Sequence, residues 1–199
     1  MAEFIQSLKD AAYSDLSIEG HSVDLQGWIN TGFDEVFKHC LQTEDPLVIE
    51  VGTWKGASAD RMMKMMEKKG NVICVDTWLG APEFWVKNYD LKRIKGYPSV
   101  FYTFTKNMKA LGYENHIAPL PLSSIQAADL LDHHGVKADI IYIDAAHEYD
   151  AVKQDILAYH KLLKPGGIMM GDDFHWPGVE KAVKEVLPAY KLNGVVWYG

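Results

Sequence analysis

The sequence has few cysteines and no long hydrophobic run, and each shortage excludes a class of protein. Its two cysteines, Cys40 and Cys74, stand beside apolar neighbours, as is typical of buried thiols in a reducing compartment. No apolar stretch approaches the roughly 20 residues that a membrane-spanning helix needs. The first ten residues, MAEFIQSLKD, carry charges where a signal peptide needs an apolar stretch. We therefore expect a cytoplasmic protein without a membrane partner.

Positive charge is scarce as well, with 20 Lys and Arg against 27 Asp and Glu and a net charge of −7. Proteins that bind phosphate backbones usually have the opposite balance, so we predict no nucleic-acid partner. The 199 residues suffice for one domain with a buried core. Because no linker, repeat or low-complexity segment interrupts them, we predict a single domain over 1–199. Residues 1–41 should form an N-terminal helical cap, and residues 78–112 an aromatic-rich insertion near the substrate site.

Apolar runs of strand length alternate with helical patterns along the chain. Strands that are apolar on both faces and separated by helices indicate a parallel sheet covered on both sides. Near the C-terminus, Asn193 and Gly194 stand between two strand-like pieces and predict a hairpin. The last strand should therefore be antiparallel to its neighbour in an α/β fold. The predicted parallel strands are LVIEV (47–51), NVICVD (71–76), HIAPLPL (116–122), DIIYID (139–144) and GIMMGD (167–172).

The turn after the first strand lacks the glycine spacing of a dinucleotide site. A G-x-G-x-x-G motif that begins at Gly52 would need glycines at the positions of Trp54 and Ala57. Larger side chains there would keep a pyrophosphate away from the backbone. This difference argues against a nicotinamide-dependent dehydrogenase.

The same turn instead carries the pattern E-x-G-x-x-x-G-x-S, formed by Glu50, Gly52, Gly56 and Ser58. The next strand ends at Asp76, where an acid commonly accepts hydrogen bonds from both ribose hydroxyls. A cofactor with a ribose but no pyrophosphate suits this arrangement. We therefore predict S-adenosylmethionine, with its amino-acid end near Glu50, Ser58 and backbone N–H groups. The alternative is that the glycines only permit a turn and that Asp76 caps a helix.

Three acids follow the last two parallel strands, which should be neighbours in the sheet. Asp144 ends one strand, and Asp172 and Asp173 end the other. Carboxylates that converge would repel one another by roughly 4 kcal/mol per pair at about 4 Å, so such a cluster usually holds a divalent cation. An all-oxygen set favours Mg²⁺, Mn²⁺ or Ca²⁺ over zinc. The alternative is that Asp172 and Asp173 cap the helix that Pro177 begins.

With these motifs, the chain resembles the class I S-adenosylmethionine-dependent methyltransferases from about Leu47 to the C-terminus. Within that class it is similar to the metal-dependent small-molecule O-methyltransferases, namely catechol O-methyltransferase and its bacterial relatives. The resemblance implies a Rossmann-like, seven-stranded, mostly parallel sheet with one antiparallel strand and helices on both faces. It places Mg²⁺ first among the cations, with Asp144, Asp172 and Asp173 as its ligands. It implies cofactor contacts at Glu50, Gly52, Thr53, Trp54, Gly56, Ser58, Asp76, Thr77, Trp78, Ser123 or Ser124, and Asp144.

The resemblance also makes His147 the candidate general base. Asp144 is the second candidate catalytic residue, as a metal ligand and a neighbour of the cofactor's methionine part. The catechol enzymes have a lysine as the general base at the position of His147. Bacterial sugar O-methyltransferases have an acidic residue as the proposed base at the position of Ala146. A neutral imidazole can accept a hydroxyl proton, and a nearby cation should lower its pKa. The alternatives are that His147 supports the metal site or caps the helix that begins near Tyr149.

The sequence thus predicts methyl transfer to a hydroxyl oxygen of a small molecule, with help from a divalent cation. Two alternatives remain: a non-catalytic S-adenosylmethionine-binding protein, and a metal-site protein like the cephalosporin hydroxylases. A helix around Trp28 and Phe33 is one candidate wall of the substrate pocket, and the aromatic-rich insertion is the other. The aromatic residues of the insertion would otherwise form a satellite core or a homodimer interface. They are Trp78, Trp85, Tyr89, Tyr97, Phe101, Tyr102 and Phe104.

Overall fold

The computed structural model describes residues 1–86 and 91–199 and contains one seven-stranded sheet and one short hairpin. The strands are β1 (Leu47–Val51), β2 (Asn71–Val75), β3 (Arg93–Ile94), β4 (Tyr97–Pro98), β5 (Ile117–Leu120), β6 (Ala138–Ile143), β7 (Leu163–Gly171), β8 (Lys191–Asn193) and β9 (Val196–Tyr198). The helices are α1 (Ala2–Tyr13), α2 (Phe33–Cys40), α3 (Ala57–Met65), α4 (Pro82–Val86), α5 (Val100–Ala110), α6 (Ser124–His133), α7 (Tyr149–His160) and α8 (Pro177–Val186). No helix among these residues is long and apolar enough to cross a bilayer.

The sheet confirms the predicted fold. Its strand order is β5-β2-β1-β6-β7-β9-β8. Strands β5, β2, β1, β6 and β7 are parallel, whereas β9 is antiparallel to both of its neighbours. The hairpin predicted at Asn193-Gly194 joins β8 to β9. Because β1 has β2 on one side and β6 on the other, the order reverses between β1 and β6, and ligands of such sheets bind at that point.

Helices cover both faces of the sheet, as continuous apolar strands require. Every residue of β1 is buried, and neighbouring residues point to opposite faces. Ile49 packs into a cluster with Ala127 of α6 and Ile156 of α7. Val48 belongs to a second cluster, on the other face, whose helical members come mainly from α2, α3 and α5. Each fully buried aliphatic side chain contributes about 1.5–3 kcal/mol, so the two clusters hold the helices on the sheet.

The predicted N-terminal cap is helical only at its two ends, which corrects the sequence analysis. Residues 14–32 form no helix, so Trp28 is not helical and Phe33 is the buried first residue of α2. We call residues 21–32 the strap. The strap forms no helix because its backbone is bound to other elements: the amide of the buried Asn107 on α5 donates to the carbonyl oxygen of Asp24 at 2.7 Å. Tertiary contacts of this kind override local helical preference.

The aromatic-rich insertion contains both core residues and exposed rings. The ring of Trp78 packs at 5.0 Å from those of Phe101 and Phe104, and Trp78 is 1% exposed. These residues do not form a separate satellite core, because they join the cluster that covers the Val48 face of the sheet. Tyr89 lies outside the described residues. The aromatic residues Trp85, Tyr97 and Tyr102 are exposed.

Two glycines that follow helices provide a test of this packing. Gly70 and Gly135 both have positive φ, at 72° and 63°. A Cβ at Gly70 would lie 2.8 Å from Cδ of Pro46, whereas a Cβ at Gly135 would meet nothing within 4 Å. Gly135→Ala should lower the free energy of unfolding by about 1–2 kcal/mol, the cost of a left-handed residue. Gly70→Ala should lower it by a further 1–3 kcal/mol or so, because overpacking adds to that strain. Urea denaturation measures both, and equal losses would contradict the predicted clash.

Candidate active site

The predicted site residues meet at the carboxyl ends of the parallel strands. Gly52 follows β1, Asp76 follows β2, Asp144 follows β6 and Asp172 follows β7. The turn after β1 and the end of β6 are in direct contact, because a Cβ on Gly52 would overlap the carbonyl oxygen of Asp144. Gly52 also has φ of 91°. Both observations require glycine at this position.

Glu50 lies beneath the turn and is fully buried. Its carboxylate accepts hydrogen bonds from the hydroxyls of Thr53, at 2.9 Å, and Ser58. The thiol of Cys74 donates to it at 3.5 Å. Burial raises the pKa of Glu50 to about 7, against the effect of these donors. Glu50 therefore holds the turn from inside, and its contact with a cofactor stays a prediction, as does that of Ser58.

Asp76 joins the first turn to the second. One carboxylate oxygen accepts hydrogen bonds from the backbone N–H groups of Thr53 and Trp54, at 3.0 and 2.8 Å. The other accepts from the N–H of Trp78 at 2.7 Å. Burial raises the pKa of Asp76, and these backbone donors oppose the shift. Both lone pairs of the first oxygen are thus occupied, and the remaining lone pair of the second can accept from a ribose hydroxyl.

The side chains beside Asp76 differ in their exposure. Thr77 is exposed, whereas the Trp78 indole is buried and donates to the carbonyl oxygen of Trp54 at 2.7 Å. Trp78 thus contributes to the core and holds the first turn in place. Gly56, with φ of 91°, begins α3, and a Cβ there would lie 3.1 Å from the ring of Phe104.

The two serines after β5 have different surroundings. Ser123 is exposed just before α6, and its hydroxyl donates to the Gln126 side chain at 2.9 Å. Ser124 donates instead to the carboxylate of Asp155 on α7. Ser123 is therefore the better placed of the two predicted contacts on the adenine side.

Asp144 and Asp172 lie on either side of a buried tyrosine hydroxyl. Tyr142 lies within hydrogen-bond distance of both carboxylates, at 3.0 Å from Oδ2 of Asp144 and 3.3 Å from Oδ2 of Asp172. Burial and the charge of the neighbouring acids raise the pKa of Asp144 well above its ordinary value. Burial likewise raises the pKa of Asp172. The structure thus brings together two acids that the sequence placed on different loops.

Asp173 is bound to His147. Nε2 of His147 lies 2.8 Å from Oδ2 of Asp173, and the imidazole stacks on Trp176 with ring centroids 4.8 Å apart. The hydrogen bond to Asp173 raises the pKa of His147. This direction is opposite to the lower pKa predicted from the sequence, which rested on a nearby cation. Among the protein groups, Asp173 has the largest effect.

Asn30 of the strap is a site residue that sequence reasoning missed. Its amide nitrogen donates to Oδ1 of Asp172 at 2.9 Å and to Oδ1 of Asp173 at 3.1 Å. No motif marks an asparagine more than a hundred residues from the acids that it binds. A buried asparagine on α5, Asn107, was missed for the same reason and accepts a hydrogen bond from His21 at 2.9 Å.

The strap crosses the carboxyl ends of the strands from α5 to the acids. It packs closely on the first turn, because a Cβ on Gly27 would lie 3.1 Å from that of Ala57. The predicted cofactor turn and the acid cluster therefore share one covering segment. Further side-chain contacts join Asp24 to Lys55, Gln26 to Trp54, and Asn30 to Asp172 and Asp173.

The chemistry of the three acids suits a divalent cation, although their present arrangement is that of a hydrogen-bonded cluster. Among residues 1–86 and 91–199, no group of three His, Cys, Asp or Glu side chains is arranged to hold a metal ion. Each carboxylate accepts from a protein donor instead: Tyr142, Asn30 or His147. Yet burial and mutual repulsion raise the pKa of Asp144, and a cation would relieve both. The metal site stays a prediction.

Comparison with known proteins identifies the family. The profile of a family described as "Methyltransferase domain" matches residues 49–174, which is more than half of the chain. A curated relative, "Uncharacterized protein R132" of Acanthamoeba polyphaga mimivirus, is 28% identical over 159 residues. That match covers 77% of this chain, and the chain spans only 64% of the relative's length.

Solved structures share the fold at low identity. CalS11, a calicheamicin methyltransferase, has a TM-score of 0.62 at 16% identity, with 99% of this chain and 91% of CalS11 covered. An O-methyltransferase from Bacillus cereus in complex with S-adenosylhomocysteine has a TM-score of 0.58 at 12% identity, with 98% and 88% covered. The chain therefore belongs to the methyltransferase-domain family, and its domain is a class I S-adenosylmethionine-dependent methyltransferase domain.

Proposed function

We propose that the protein transfers the sulfonium methyl group of S-adenosylmethionine to a hydroxyl oxygen of a small molecule, assisted by a divalent cation. The observation that carries the proposal is the contact of His147 Nε2 with Asp173 at 2.8 Å, beside Asp144 and Asp172. It puts a titratable base and three acids at the sheet edge where class I cofactors bind. Two structures of the same fold bear the names of O-methyltransferases, one of them a TDP-rhamnose 3′-O-methyltransferase.

Cofactor binding is assigned to the turns after β1 and β2. Asp76 would accept a ribose hydroxyl with the one lone pair that the backbone N–H groups leave free. Trp54 and Thr53 would border the cofactor, because Asp76 holds their backbone at 3.0 Å or less. Ser123 would face the adenine, and Asp144 would lie near the methionine part. The shape of this surface rests on Glu50, which is buried below it.

His147 is assigned the proton transfer. The substrate hydroxyl would lose its proton to the imidazole, while its oxygen bonds to the methyl carbon and the carbon–sulfur bond breaks. S-adenosylhomocysteine leaves as a neutral thioether. Asp173 orients the ring through the hydrogen bond at Nε2, and it stabilises the imidazolium that forms. Trp176, stacked on the ring, restricts its orientation further.

Asp144, Asp172 and Asp173 would hold the cation, with Mg²⁺ first among the candidates. A bound divalent cation lowers the pKa of a coordinated hydroxyl and fixes its position. A small-molecule acceptor suits the net charge of −7 better than a nucleic acid does. We further propose that residues 1–199 act as one domain.

The cofactor assignment predicts a specific loss of affinity. Asp76→Ala should weaken binding of S-adenosylhomocysteine by about 1.5–3 kcal/mol, the usual value of a hydrogen bond to a charged group. Asp76→Asn should also lose affinity, because its amide NH2 group would face a backbone N–H donor of one of the two turns. The exposed Asp129 on α6 provides the control, and Asp129→Ala should bind like the wild type. Isothermal titration calorimetry measures each affinity, and undiminished binding by Asp76→Ala would refute the ribose contact.

The reaction itself is tested with a screen of hydroxylated small molecules, read as formation of S-adenosylhomocysteine with and without Mg²⁺. We expect turnover that chelation abolishes. Asp172→Asn and Asp173→Asn should lower the affinity for Mg²⁺ and leave cofactor affinity within about twofold, since different loops hold the two ligands. The exposed Asp150 supplies the control Asp150→Asn. Cofactor binding without any turnover would indicate a non-catalytic protein, and a requirement for iron and an oxidant would indicate hydroxylase-like chemistry.

The base assignment predicts unequal effects of two histidines near the same acid. His147→Ala should lower turnover roughly 10²–10⁴-fold, the range for a lost general base, with cofactor affinity kept. His175, whose Nδ1 lies 3.8 Å from Asp173, is the control, and His175→Ala should stay within a few-fold of wild type. Because Asp173 raises the pKa of His147, NMR of the metal-free protein should show its titration above the ordinary imidazole value. Near-normal turnover by His147→Ala would make the residue structural.

A further inference from the structure

A cavity of about 500 Å³ lies between the strap, the first turn and the start of α5. Its size is that of a site for a small molecule. Of the residues assigned to the cofactor, only Trp54 lines it. The cavity therefore adjoins the predicted cofactor site without coinciding with it. Its walls are formed by His21, Ser22, Asp24, Gln26, Trp28, Trp54, Lys55, Phe84, Leu91, Lys92, Ser99, Val100 and Thr103.

One wall of the cavity is aromatic. The rings of Trp28 and Phe84 are nearly parallel, with centroids 6.2 Å apart and an angle of 26° between their planes. Trp54 packs against Phe84 from the first turn, at 5.3 Å. Trp28 is nevertheless 63% exposed, which leaves much of a large apolar surface uncovered. Such a surface suits stacking with the flat ring of a ligand.

The charged side chains that line the cavity within the described part of the chain leave one positive charge in excess. Asp24 pairs with Lys55 at 2.7 Å. The hydrogen bond from Lys55, aided by the charge of Lys92, lowers the pKa of Asp24, so Lys92 lies in the same electrostatic environment. Lys92 itself is exposed and forms no ion pair with an acid in the described part of the chain. In a protein with a net charge of −7, this local excess favours a ligand with a negative group.

Two elements that line the cavity also reach the site of methyl transfer proposed above. Trp54 belongs to the turn that Asp76 holds. The strap that supplies Trp28 continues for two residues to Asn30, which binds Asp172 and Asp173. A ligand in the cavity would therefore lie between the covering strap and the turn assigned to the cofactor.

We infer that this cavity binds the methyl acceptor, and that the acceptor has a flat aromatic ring and an anionic group. The ring would stack on Trp28 and the anion would lie near Lys92. This inference rests on the proposed function, of which it specifies the substrate class. Two sources share the chemistry: hydroxylated aromatic acids and nucleotide-linked hydroxyl compounds. An adenine pocket or a site for neutral sugars are the competing uses of the cavity.

Calorimetry with matched ligands tests the inference. The probes are 3-hydroxybenzoate and 4-hydroxybenzoate, their neutral amides, thymidine 5′-diphosphate, methyl glucoside and S-adenosylhomocysteine. Wild type should bind hydroxybenzoate or the nucleotide, and the acid about tenfold more tightly than its amide, because a charge-assisted contact is lost in the amide. Binding of hydroxybenzoate would identify a hydroxylated aromatic acid as the acceptor. Binding of the nucleotide alone would identify a nucleotide-linked hydroxyl compound.

Variants locate the binding in the cavity. Trp28→Ala should lower the affinity for the probe that the wild type binds about tenfold or more. The affinity for S-adenosylhomocysteine should stay within about twofold, since of the two ligands only the acceptor would contact the ring. Lys92→Ala should lower the affinity for the anionic probe, which should then bind no more tightly than its neutral amide. The controls are Tyr97→Ala, which removes an exposed ring outside the cavity, and Lys38→Ala, which removes an exposed lysine on α2.

Three outcomes would overturn the inference. Wild type could bind none of the anionic aromatic probes, or bind methyl glucoside more tightly than all of them. Alternatively, Trp28→Ala could lower the affinity for S-adenosylhomocysteine and leave that for the probe unchanged, which would mean that the cavity binds the cofactor. These failures differ from a failure of the proposed function, which would appear as absent cofactor binding in the wild type or absent turnover in the acceptor screen.

Discussion

The site depends on the close approach of two backbones at the point where the strand order reverses. The turn after β1 lies so near the end of β6 that a Cβ on Gly52 would overlap the carbonyl oxygen of Asp144. Because this contact joins the predicted cofactor turn to the first of the acids, any displacement of one moves the other. Two further groups preserve the turn: Glu50 from below and Asp76 from the side. The sheet thus positions the site through backbone contacts as well as through side chains.

The acid cluster shows how a folded protein keeps like charges together. Asp144 and Asp172 share a tyrosine hydroxyl, Asp172 and Asp173 share the amide of Asn30, and Asp173 binds His147. Donors around buried carboxylates offset part of the cost of desolvation and repulsion. The remaining cost appears in the raised pKa of Asp144 and Asp172. Bound protons or a bound cation would therefore stabilise the cluster.

The strap links the two halves of the proposed chemistry. Its first part is bound by Asn107 of α5 and its last part by the acids, and Trp28 lies between them over the cavity. One short stretch of chain therefore both lines the cavity and contacts the acid cluster.

The sequence alone determined the α/β fold, the hairpin at Asn193-Gly194 and the acids at the strand ends, because periodicity and turn chemistry are local. Only the tertiary structure decided that residues 14–32 are not helical, since Asn107 and the acids bind that segment across the fold. It also decided that Ser124 faces α7 and that the hydrogen bond to Asp173 raises the pKa of His147. These outcomes depend on partners distant in sequence, and hydrophobic patterns carry no information about which polar side chains will meet.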